Sequence, residues 1–284
     1  MCVNIISDII SCSRKTDVPA FLMPWVIERI GKGYVDVTNP YNPNQVSRIS
    51  LDPLDVKCWV WWSKDFRCWI KEYQNNRCLF EQYKGHRFQF TINSPSELES
   101  GLHTPLDERL KQLKYLLKQF GFDAMNYRFD PIVLYRKKDS SKILNNLGKI
   151  DYIGNIGVKE MIFSFAQLYS KATKRMLLRN KTLIDPPLEE KKEIIEGIMS
   201  KCDKYAIVLK NCSQEILQAI NGVEKSSCID ANKIEKITGG SLSKAKDQSQ
   251  RKACECHKSR DIGQYGGKFS CIHNCDYCYS HPIN

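Results

Sequence analysis

Short hydrophobic runs alternate with amphipathic segments along most of this chain. The run from Val56 to Trp62 lacks strict polar alternation, which is typical of a strand covered on both faces. The segment from Pro105 to Gln119 carries leucines three and four positions apart, and this spacing predicts an amphipathic helix. Further strands are predicted over Asn4 to Ser13, Tyr34 to Thr38, Val46 to Leu51, Arg87 to Asn93, Met125 to Asp130, Lys159 to Phe165, Tyr205 to Leu209 and Ser226 to Ile229. Further helices are predicted over Pro19 to Gly31, Phe66 to Asn75, Ile143 to Ile153, Leu168 to Leu178, Leu188 to Cys202, Ser213 to Ile220 and Asp230 to Ile237.

The order of these elements predicts an α/β fold. Seven or eight strand-then-helix units in roughly 240 residues approach the ~250 residues of a (β/α)8 barrel. We therefore expect a TIM-barrel-like domain, complete or partial, over residues 1–238. A polar linker is expected over 239–253, and a cysteine-rich tail over 254–284 is expected to fold over the barrel mouth. A doubly wound open sheet is the alternative, because periodicity does not show whether a sheet closes.

Composition limits the cellular compartment and the kinds of partner expected for this protein. The chain has 284 residues, of which 42% are hydrophobic, enough for a substantial core. No apolar run of about 18 residues is present, so no membrane span is expected. The first residues lack signal-peptide features, and we expect a cytoplasmic protein with reduced thiols. The net charge of +11 favours an anionic partner such as nucleic acid or a nucleotide, although scattered lysines are also typical of a solvated surface.

Five of the 13 cysteines fall within 25 residues near the end of the chain. Cys271, Cys275 and Cys278 are spaced C-x3-C-x2-C, so one loop can present three thiolates to one soft metal centre and leave a coordination position open. This pattern favours an iron–sulfur cluster. The alternatives are a structural zinc site, with His273 or His281 as fourth ligand, and disulfides, which a reducing compartment disfavours.

Four further cysteines form a second candidate set. Cys212 and Cys228 are predicted at the carboxyl ends of late strands, on the face where a barrel builds its site. Together with Cys254 and Cys256 they supply four ligands, enough for a closed [4Fe–4S] cluster or a zinc site. The alternative is that Cys212 and Cys228 are small buried hydrophobic residues.

Polar residues follow many of the predicted strands, where barrels place their active sites. We assign to substrate contacts and catalysis Arg14, Asp17, Lys64, Arg128 and Asp130, and to cofactor contacts Asn39, Ser164 and Gln167. Asp17 can instead cap the following helix, and Arg128 and Asp130 can instead form a structural ion pair. Among the tryptophans at 59, 61 and 62, one outward-facing indole could stack on a base.

The tail motif also carries a resemblance. The string Cys271-x3-Cys275-x-Tyr277-Cys278 resembles the cluster motif of the radical S-adenosylmethionine (radical SAM) superfamily, and with His273 and Tyr279 it resembles spore photoproduct lyase and DNA repair photolyase-type proteins. The late position of the motif, the segment from Ser13 to Ala20 and the string Asp261-Ile262-Gly263-x-Tyr265 are similar to the DUF1848 family. This second similarity covers nearly the whole chain.

The resemblance implies a [4Fe–4S] cluster on Cys271, Cys275 and Cys278, with S-adenosylmethionine on the fourth iron. It implies reductive cleavage to a 5′-deoxyadenosyl radical, an electron donor such as flavodoxin or ferredoxin, and Tyr277 near the adenine. The resemblance to DNA repair photolyase-type proteins, together with the basic net charge, favours a nucleic acid or nucleotide substrate. The alternative class is a non-catalytic iron–sulfur or zinc protein that binds nucleic acid through its lysines.

Overall fold

The computed structural model describes residues 2–148 and 150–280, so the predicted zinc ligand His281 lies outside the described residues. The described strands are Cys2–Ile5 (β1), Ile9–Cys12 (β2), Tyr34–Asn39 (β3), Asn42–Ser50 (β4), Cys58–Ser63 (β5), Gly85–Thr91 (β6), Met125–Ile132 (β7), Leu134–Lys137 (β8), Ile143–Asn145 (β9), Glu160–Phe165 (β10), Lys181–Ile184 (β11), Val208–Asn211 (β12), Glu224–Lys225 (β13) and Arg260–Asp261 (β14). The α-helices are Val18–Phe21 (α1), Met23–Lys32 (α2), Arg67–Asn75 (α3), Arg77–Phe80 (α4), Leu106–Phe120 (α5), Ser170–Leu178 (α6), Leu188–Asp203 (α7), Glu215–Gln218 (α8) and Ala231–Thr238 (α9), and 3-10 helices span Ile150–Ile156 and Gly267–Phe269.

The main sheet has eight strands in the order β13-β12-β10-β7-β6-β5-β2-β14, and every neighbouring pair is parallel. From β2 to β13 each strand lies beside the next main-sheet strand along the chain, and β14 from the tail adds beyond β2. Within the described residues no ladder joins the edge strands β13 and β14. The His257 amide nevertheless donates to the Ile229 carbonyl (2.9 Å), which connects the segment before β14 to the segment after β13. The protein is therefore a mixed α/β protein built on one large parallel sheet.

Two smaller sheets lie outside this main sheet. One has the order β1-β4-β3, with β1 parallel and β3 antiparallel to β4, and the other is antiparallel in the order β11-β8-β9. The single first strand predicted over Asn4 to Ser13 is wrong, because β1 and β2 belong to different sheets. A short irregular segment, residues 6–8, separates them, and Ile6 in this segment is 71% exposed.

The helix predicted over Ile143 to Ile153 is also wrong. Its first residues form β9, and a 3-10 helix begins at Ile150. The Asn146 side chain accepts from the Val133 amide (2.9 Å) and donates to the Pro131 carbonyl (2.9 Å). Such side-chain bonds to distant backbone compete with helix formation, and apolar spacing alone does not reveal them.

Among the strand boundaries that differ from the prediction, those of β7 and of the last strand before the tail bear on the site. β7 continues through Pro131 to Ile132, and the ladder to β10 shifts register between Phe163 and Phe165, an irregularity that accommodates a residue without an N–H. The last predicted strand, Ser226 to Ile229, is not a strand. Instead β13 pairs earlier, at Glu224–Lys225, and Cys228 follows it in a loop.

Alternation along β5 sorts its aromatic residues between two faces of the sheet. Trp59 and Trp61 are fully buried and stacked, with ring centroids 4.8 Å apart, in the core that packs α3 and α5 against the sheet. Val60 and Trp62 point to the opposite face, where Trp62 reaches the cavity described below. Trp59 and Trp61 thus face the main core, and Trp62 faces the cavity on the other side of the sheet.

Candidate cofactor and metal site

A cavity of about 310 Å³ lies at the carboxyl ends of the main-sheet strands. All seven cysteines predicted as ligands line it: Cys212, Cys228, Cys254, Cys256, Cys271, Cys275 and Cys278. Eight other predicted site residues line it too: Arg14, Asp17, Lys64, Arg128, Asp130, Ser164, Gln167 and Tyr277. Strand ends and tail therefore meet in one place, as the sequence predicts for the carboxyl edge of a parallel sheet.

The tail loop, residues 271–280, is fixed to the segment after β6 by backbone hydrogen bonds. The Gly101 amide donates to the His273 carbonyl (2.9 Å), and the Asp276 amide donates to the Leu98 carbonyl (2.8 Å). Gly101 cannot be replaced here without a shift, because an added Cβ would lie 2.0 Å from the Ile272 carbonyl oxygen. The approach of the two backbones therefore depends on a glycine.

Cations from α6 and β11 hold the other side of the tail loop. Arg175 donates to the Cys278 carbonyl (2.6 Å), and Arg179 donates to the Asn274 carbonyl (3.1 Å). The buried Asp276 carboxylate pairs with Arg179 and with Lys181 (2.8 Å). Sequence reasoning missed these residues, because basic side chains on a helix and a short edge strand carry no spacing signal for a partner about 100 positions away.

The thiols of the tail loop are buried in this arrangement. Burial raises the pKa of Cys271 to about 12, and it also raises the pKa of Cys275 and of Cys278. Without a bound cation the three groups are therefore neutral thiols at neutral pH. A soft metal centre would displace their protons, since the thiolate is the ligand form.

Asp17 ties the first strand–helix turn to the tail loop. Its Oδ1 accepts from the Ala20 amide (3.1 Å) and caps α1, which is the structural alternative considered from the sequence. Its Oδ2 accepts from the Lys64 amide (2.8 Å) and lies 2.8 Å from His273 Nε2. Both oxygens are engaged in bonds that position other elements, so the geometry gives Asp17 a positioning role.

Lys64 and Tyr277 meet at Glu99, which the sequence analysis did not single out. Lys64 Nζ lies 2.8 Å from Glu99 Oε1, and the Tyr277 hydroxyl donates to the same oxygen. Asn93 Nδ2 donates to that oxygen as well (3.0 Å). Burial alone would raise the pKa of Glu99, but the Lys64 ammonium, the Tyr277 hydroxyl and the Arg109 charge together outweigh this effect and lower the pKa to about 2. The network keeps Glu99 ionised and fixes the Tyr277 ring in the cavity wall.

Two guanidinium groups flank Trp62 on the cavity floor. The Cζ atoms of Arg14 and Arg128 lie 5.2 and 5.4 Å from the centroid of the indole. Arg128 also pairs with Asp130, and Ser164 donates to that carboxylate. The ion pair that the sequence offered as an alternative is therefore present, and it lines the cavity. Trp62 is the inward-facing indole of the strand.

Asp261 joins β14 to the end of β2. Its carboxylate accepts from the hydroxyls of Ser11 (2.8 Å) and Ser13 (2.7 Å) and from the Arg14 amide (2.8 Å). Gly263 follows, and a Cβ there would lie 1.9 Å from Ser13 Oγ. The Asp-Ile-Gly string of the tail thus positions the loop that carries Arg14.

The four other predicted ligands form a separate group, Cys212, Cys228, Cys254 and Cys256, called here the four-cysteine group. Cys212 Sγ and Cys228 Sγ lie 3.8 Å apart. The segment around Cys256 reaches them because Ser227 Oγ donates to the Glu255 carbonyl (2.8 Å) and the Ile229 amide lies 3.4 Å from Cys256 Sγ. Within residues 2–148 and 150–280, no group of three or more His, Cys, Asp or Glu side chains is arranged to hold a single metal ion.

Asn39 lies away from this site. It ends β3 in the small β1-β4-β3 sheet, where its Nδ2 donates to Gln45 Oε1 (2.7 Å), and it does not line the cavity. The prediction that Asn39 is at the mouth is wrong, because β3 is not a strand of the main sheet. Gln167 does line the cavity, and its Oε1 accepts from Arg251 (3.4 Å).

Fold and site together define an α/β protein with a cysteine-lined cavity at the carboxyl edge of a parallel sheet. Residues 9–280 match the family model described as "Domain of unknown function (DUF1848)". The chain belongs to the DUF1848 family. None of the curated proteins and none of the solved structures compared with the chain matches it significantly. In the described part of the chain, the helices are all too short or too polar to cross a membrane.

Proposed function

We propose that this protein is a radical SAM enzyme that holds a [4Fe–4S] cluster on Cys271, Cys275 and Cys278. The observation that carries the proposal is the position of the tail loop, whose three thiols line the same cavity as the polar ends of the main-sheet strands. Three thiolates from one loop leave one iron of a cubane cluster without a protein ligand, and that iron is where S-adenosylmethionine would bind. The donor set thus fits an open cluster.

The cavity also fits a polar cofactor. Its volume, about 310 Å³, lies at the lower end of the range for small-molecule pockets. Arg14 Nη2 and Thr16 Oγ1 are buried there without a hydrogen-bond partner among the described residues. Buried donors of this kind are normally satisfied in proteins, so a ligand with oxygen acceptors is expected to complete them. A carboxylate or a ribose hydroxyl has the required chemistry.

A reduced [4Fe–4S] cluster with S-adenosylmethionine supplies methionine and a 5′-deoxyadenosyl radical, which abstracts hydrogen from the substrate. The residues of this chain would bind and orient the cofactor and the substrate. The tail loop, which lines the cavity beside the strand ends, would help to shield a bound cofactor from water. Tyr277, held by Glu99, would pack against the adenine, and Ser164 and Gln167 would contact the cofactor's polar groups. The electron would come from a one-electron donor such as flavodoxin or ferredoxin.

We further propose a nucleotide or nucleic acid as substrate. Supporting this proposal, Arg14 and Arg128 bring two positive charges to the indole of Trp62 inside the cavity. An aromatic face beside guanidinium groups suits a base with its phosphate. The net charge of +11 would add a general attraction for such a polyanion. A reducing, cytoplasmic setting belongs to this proposal, and the twelve cysteines from Cys12 to Cys278 form no disulfide bond with one another.

We also propose that the main sheet is a barrel-like (β/α) arrangement. The strand order supports this, because it runs through the chain without the reversal that marks a doubly wound sheet. The hydrogen bond from His257 to Ile229 bridges the two edges of the sheet in place of a ladder. On this proposal the tail supplies the last wall of the barrel and then the cluster loop.

Electron paramagnetic resonance of the anaerobically reconstituted, reduced protein tests the function. We expect a [4Fe–4S]⁺ signal that changes on addition of S-adenosylmethionine, because the cofactor binds the open iron. The C271A/C275A/C278A variant should lose this responsive signal. A C68A/C78A variant, which removes two exposed thiols outside the cavity, should keep it. A cluster whose signal ignores the cofactor would contradict the proposal and favour the non-catalytic alternative.

A further inference from the structure

Cys212 and Cys228 are two thiols in close contact at the wall of the cavity. Their sulfur atoms lie 3.8 Å apart. Cys212 follows β12, and Cys228 lies in the loop after β13, the strand that pairs with β12. The Ser226 amide donates to the Asn211 carbonyl (3.0 Å), so the backbones that lead to the two thiols run side by side. The edge of the main sheet therefore brings the two sulfurs together.

This contact does not suit the metal centres considered for the four-cysteine group. In a four-iron cluster each thiolate binds its own iron, and two sulfurs in contact cannot each bind a separate iron. A structural zinc ion needs four ligands around one point, and the described part of the chain holds no group of even three side chains placed to bind one ion. The geometry suits two thiols that react with each other.

A buried guanidinium points at one of the two sulfurs. Arg128 Nη1 lies 2.7 Å from Cys228 Sγ, whereas Nη2 pairs with Asp130. A guanidinium carries five N–H donors, so the ion pair leaves Nη1 available for the sulfur. Hydrogen bonds from Cys212 and Cys256, together with the Arg128 charge, lower the pKa of the Cys228 thiol well below its usual range although the thiol is buried. Cys228 is therefore the more nucleophilic partner, because the thiolate is the form that attacks.

Cys58 shows the opposite environment within the same apolar cluster. It is fully buried, its sulfur contacts the Trp59 carbonyl (3.5 Å), and burial raises its pKa to about 12. Cys58 does not line the cavity, whereas Cys212 and Cys228 both do, so a small oxidant can reach the pair. Cys58 thus behaves as a small hydrophobic residue, and Cys212 and Cys228 have the features of reactive thiols.

We propose that Cys212 and Cys228 form a peroxide-reactive thiol pair that closes reversibly into a disulfide. The Cys228 thiolate attacks one oxygen of hydrogen peroxide. An S–O bond forms, the O–O bond breaks, and the leaving hydroxide takes up the thiol proton to become water. The Cys212 thiol then attacks the sulfur of this sulfenic acid, an S–S bond forms, the S–O bond breaks and a second water leaves. The two thiols thereby give two electrons to the peroxide, and exchange with an external dithiol restores them.

Closure of the pair requires a small movement and no further space in the cavity. The two sulfurs approach from 3.8 Å to a bond length of about 2.05 Å. The disulfide ties the end of β12 to the loop after β13. Neither cysteine is a ligand of the cluster proposed above, so the inference does not depend on the proposed function.

Peptide mapping of full-length protein tests the pair. Cleavage after lysine and arginine places Cys212 in peptide 211–225 and Cys228 in peptide 226–233. After one equivalent of hydrogen peroxide and alkylation of the remaining thiols, these two peptides should be recovered joined, and dithiothreitol should separate them. Cys58 is the internal control and should remain reduced. The mapping is made on the reconstituted parent and on C271A/C275A/C278A, which lacks the ligands of the proposed cluster. Absence of the joined peptides from both proteins, or a link from Cys228 to Cys256 in their place, would overturn the proposal.

A matched pair of variants tests which thiol attacks the peroxide. C212S/C254S/C256S keeps Cys228 without a neighbouring thiol of the four-cysteine group, and C228S/C254S/C256S keeps Cys212 in the same way. Dimedone, which traps sulfenic acid, should label peptide 226–233 of the first variant at least about tenfold faster than peptide 211–225 of the second, because the guanidinium faces Cys228. Equal labelling, or faster labelling of Cys212, would overturn the assignment of Cys228 as the attacking thiol.

Discussion

His273 Nε2 lies 2.8 Å from Asp17 Oδ2, although the two residues are 256 positions apart. The contact joins the middle of the tail loop to the turn after β2. Asp17 also accepts from the Ala20 and Lys64 amides, and these bonds hold the carboxylate independently of the tail loop. One carboxylate thus helps to set where the loop with Cys271, Cys275 and Cys278 lies relative to the strand ends.

Loss of this contact should loosen the cluster loop. In a His273→Ala variant we expect a free energy of unfolding lower by about 1–3 kcal/mol, because a buried acceptor on Asp17 loses its partner. Faster loss of iron to a chelator should accompany it. His103→Ala, which removes an exposed imidazole, is the control. Equal iron release from both variants would show that the contact does not position the loop.

Gly101 should tolerate no side chain. A Cβ there would lie 2.0 Å from the Ile272 carbonyl oxygen, and the three nearest atoms are all backbone atoms of Ile272 and His273, so no flexible side chain can move aside. We expect Gly101→Ala to displace the tail loop and reduce iron bound at Cys271, Cys275 and Cys278 by more than half. Gly197→Ala is the matched control, since no atom lies within 4 Å of its added Cβ. Normal cluster loading in Gly101→Ala would contradict the docking described for the tail loop.

Tyr277 should act through its ring. Tyr277→Phe keeps the ring and removes the bond to Glu99, whereas Tyr277→Ala removes the aromatic surface as well. If the ring packs against adenine, Tyr277→Ala should weaken S-adenosylmethionine binding about tenfold, the effect of losing about 1.4 kcal/mol. Tyr277→Phe should change it about threefold or less. Calorimetric titration of the reconstituted proteins measures both affinities. Equal affinities of the parent and Tyr277→Ala would contradict the proposed contact with adenine.

His86 should make stability depend on pH. Burial lowers its pKa from 6.5 to about 4, and in the folded state the ring accepts from Trp61 Nε1 (3.1 Å) and contacts the Phe80 carbonyl (3.0 Å). As the pH falls, His86 therefore takes up a proton at a higher pH in the unfolded chain than in the folded protein. The free energy of unfolding is therefore unaffected by this group above about pH 6.5 and is lower by about 3 kcal/mol near pH 4.

Urea unfolding at pH 7, 5.5 and 4.5 measures this dependence. A His86→Gln variant should be less stable at pH 7 and should lose less stability than the parent between pH 7 and 4.5. His257→Gln, which changes a partly buried imidazole near the edge of the sheet, is the control. Parallel pH profiles for the parent and His86→Gln would show that His86 is not the responsible group.

The spacing of the cysteines predicted much of the site. Cys271, Cys275 and Cys278 can be read from one loop, and Cys212 and Cys228 could be placed because strand ends of a parallel sheet share one edge. Asn39 fails the same rule, since nothing in a short strand reveals which sheet it joins. Glu99 and Arg179 were missed, because their contacts with the tail form only when distant segments pack.

Formation of 5′-deoxyadenosine tests the central claim most directly. Full-length protein reconstituted without oxygen, reduced and mixed with S-adenosylmethionine would be sampled over time and analysed by chromatography. We predict that 5′-deoxyadenosine and methionine accumulate with the parent and with C68A/C78A, and stay at the protein-free background with C271A/C275A/C278A. Background levels from a parent that carries its full cluster, or equal formation by C271A/C275A/C278A, would contradict the account.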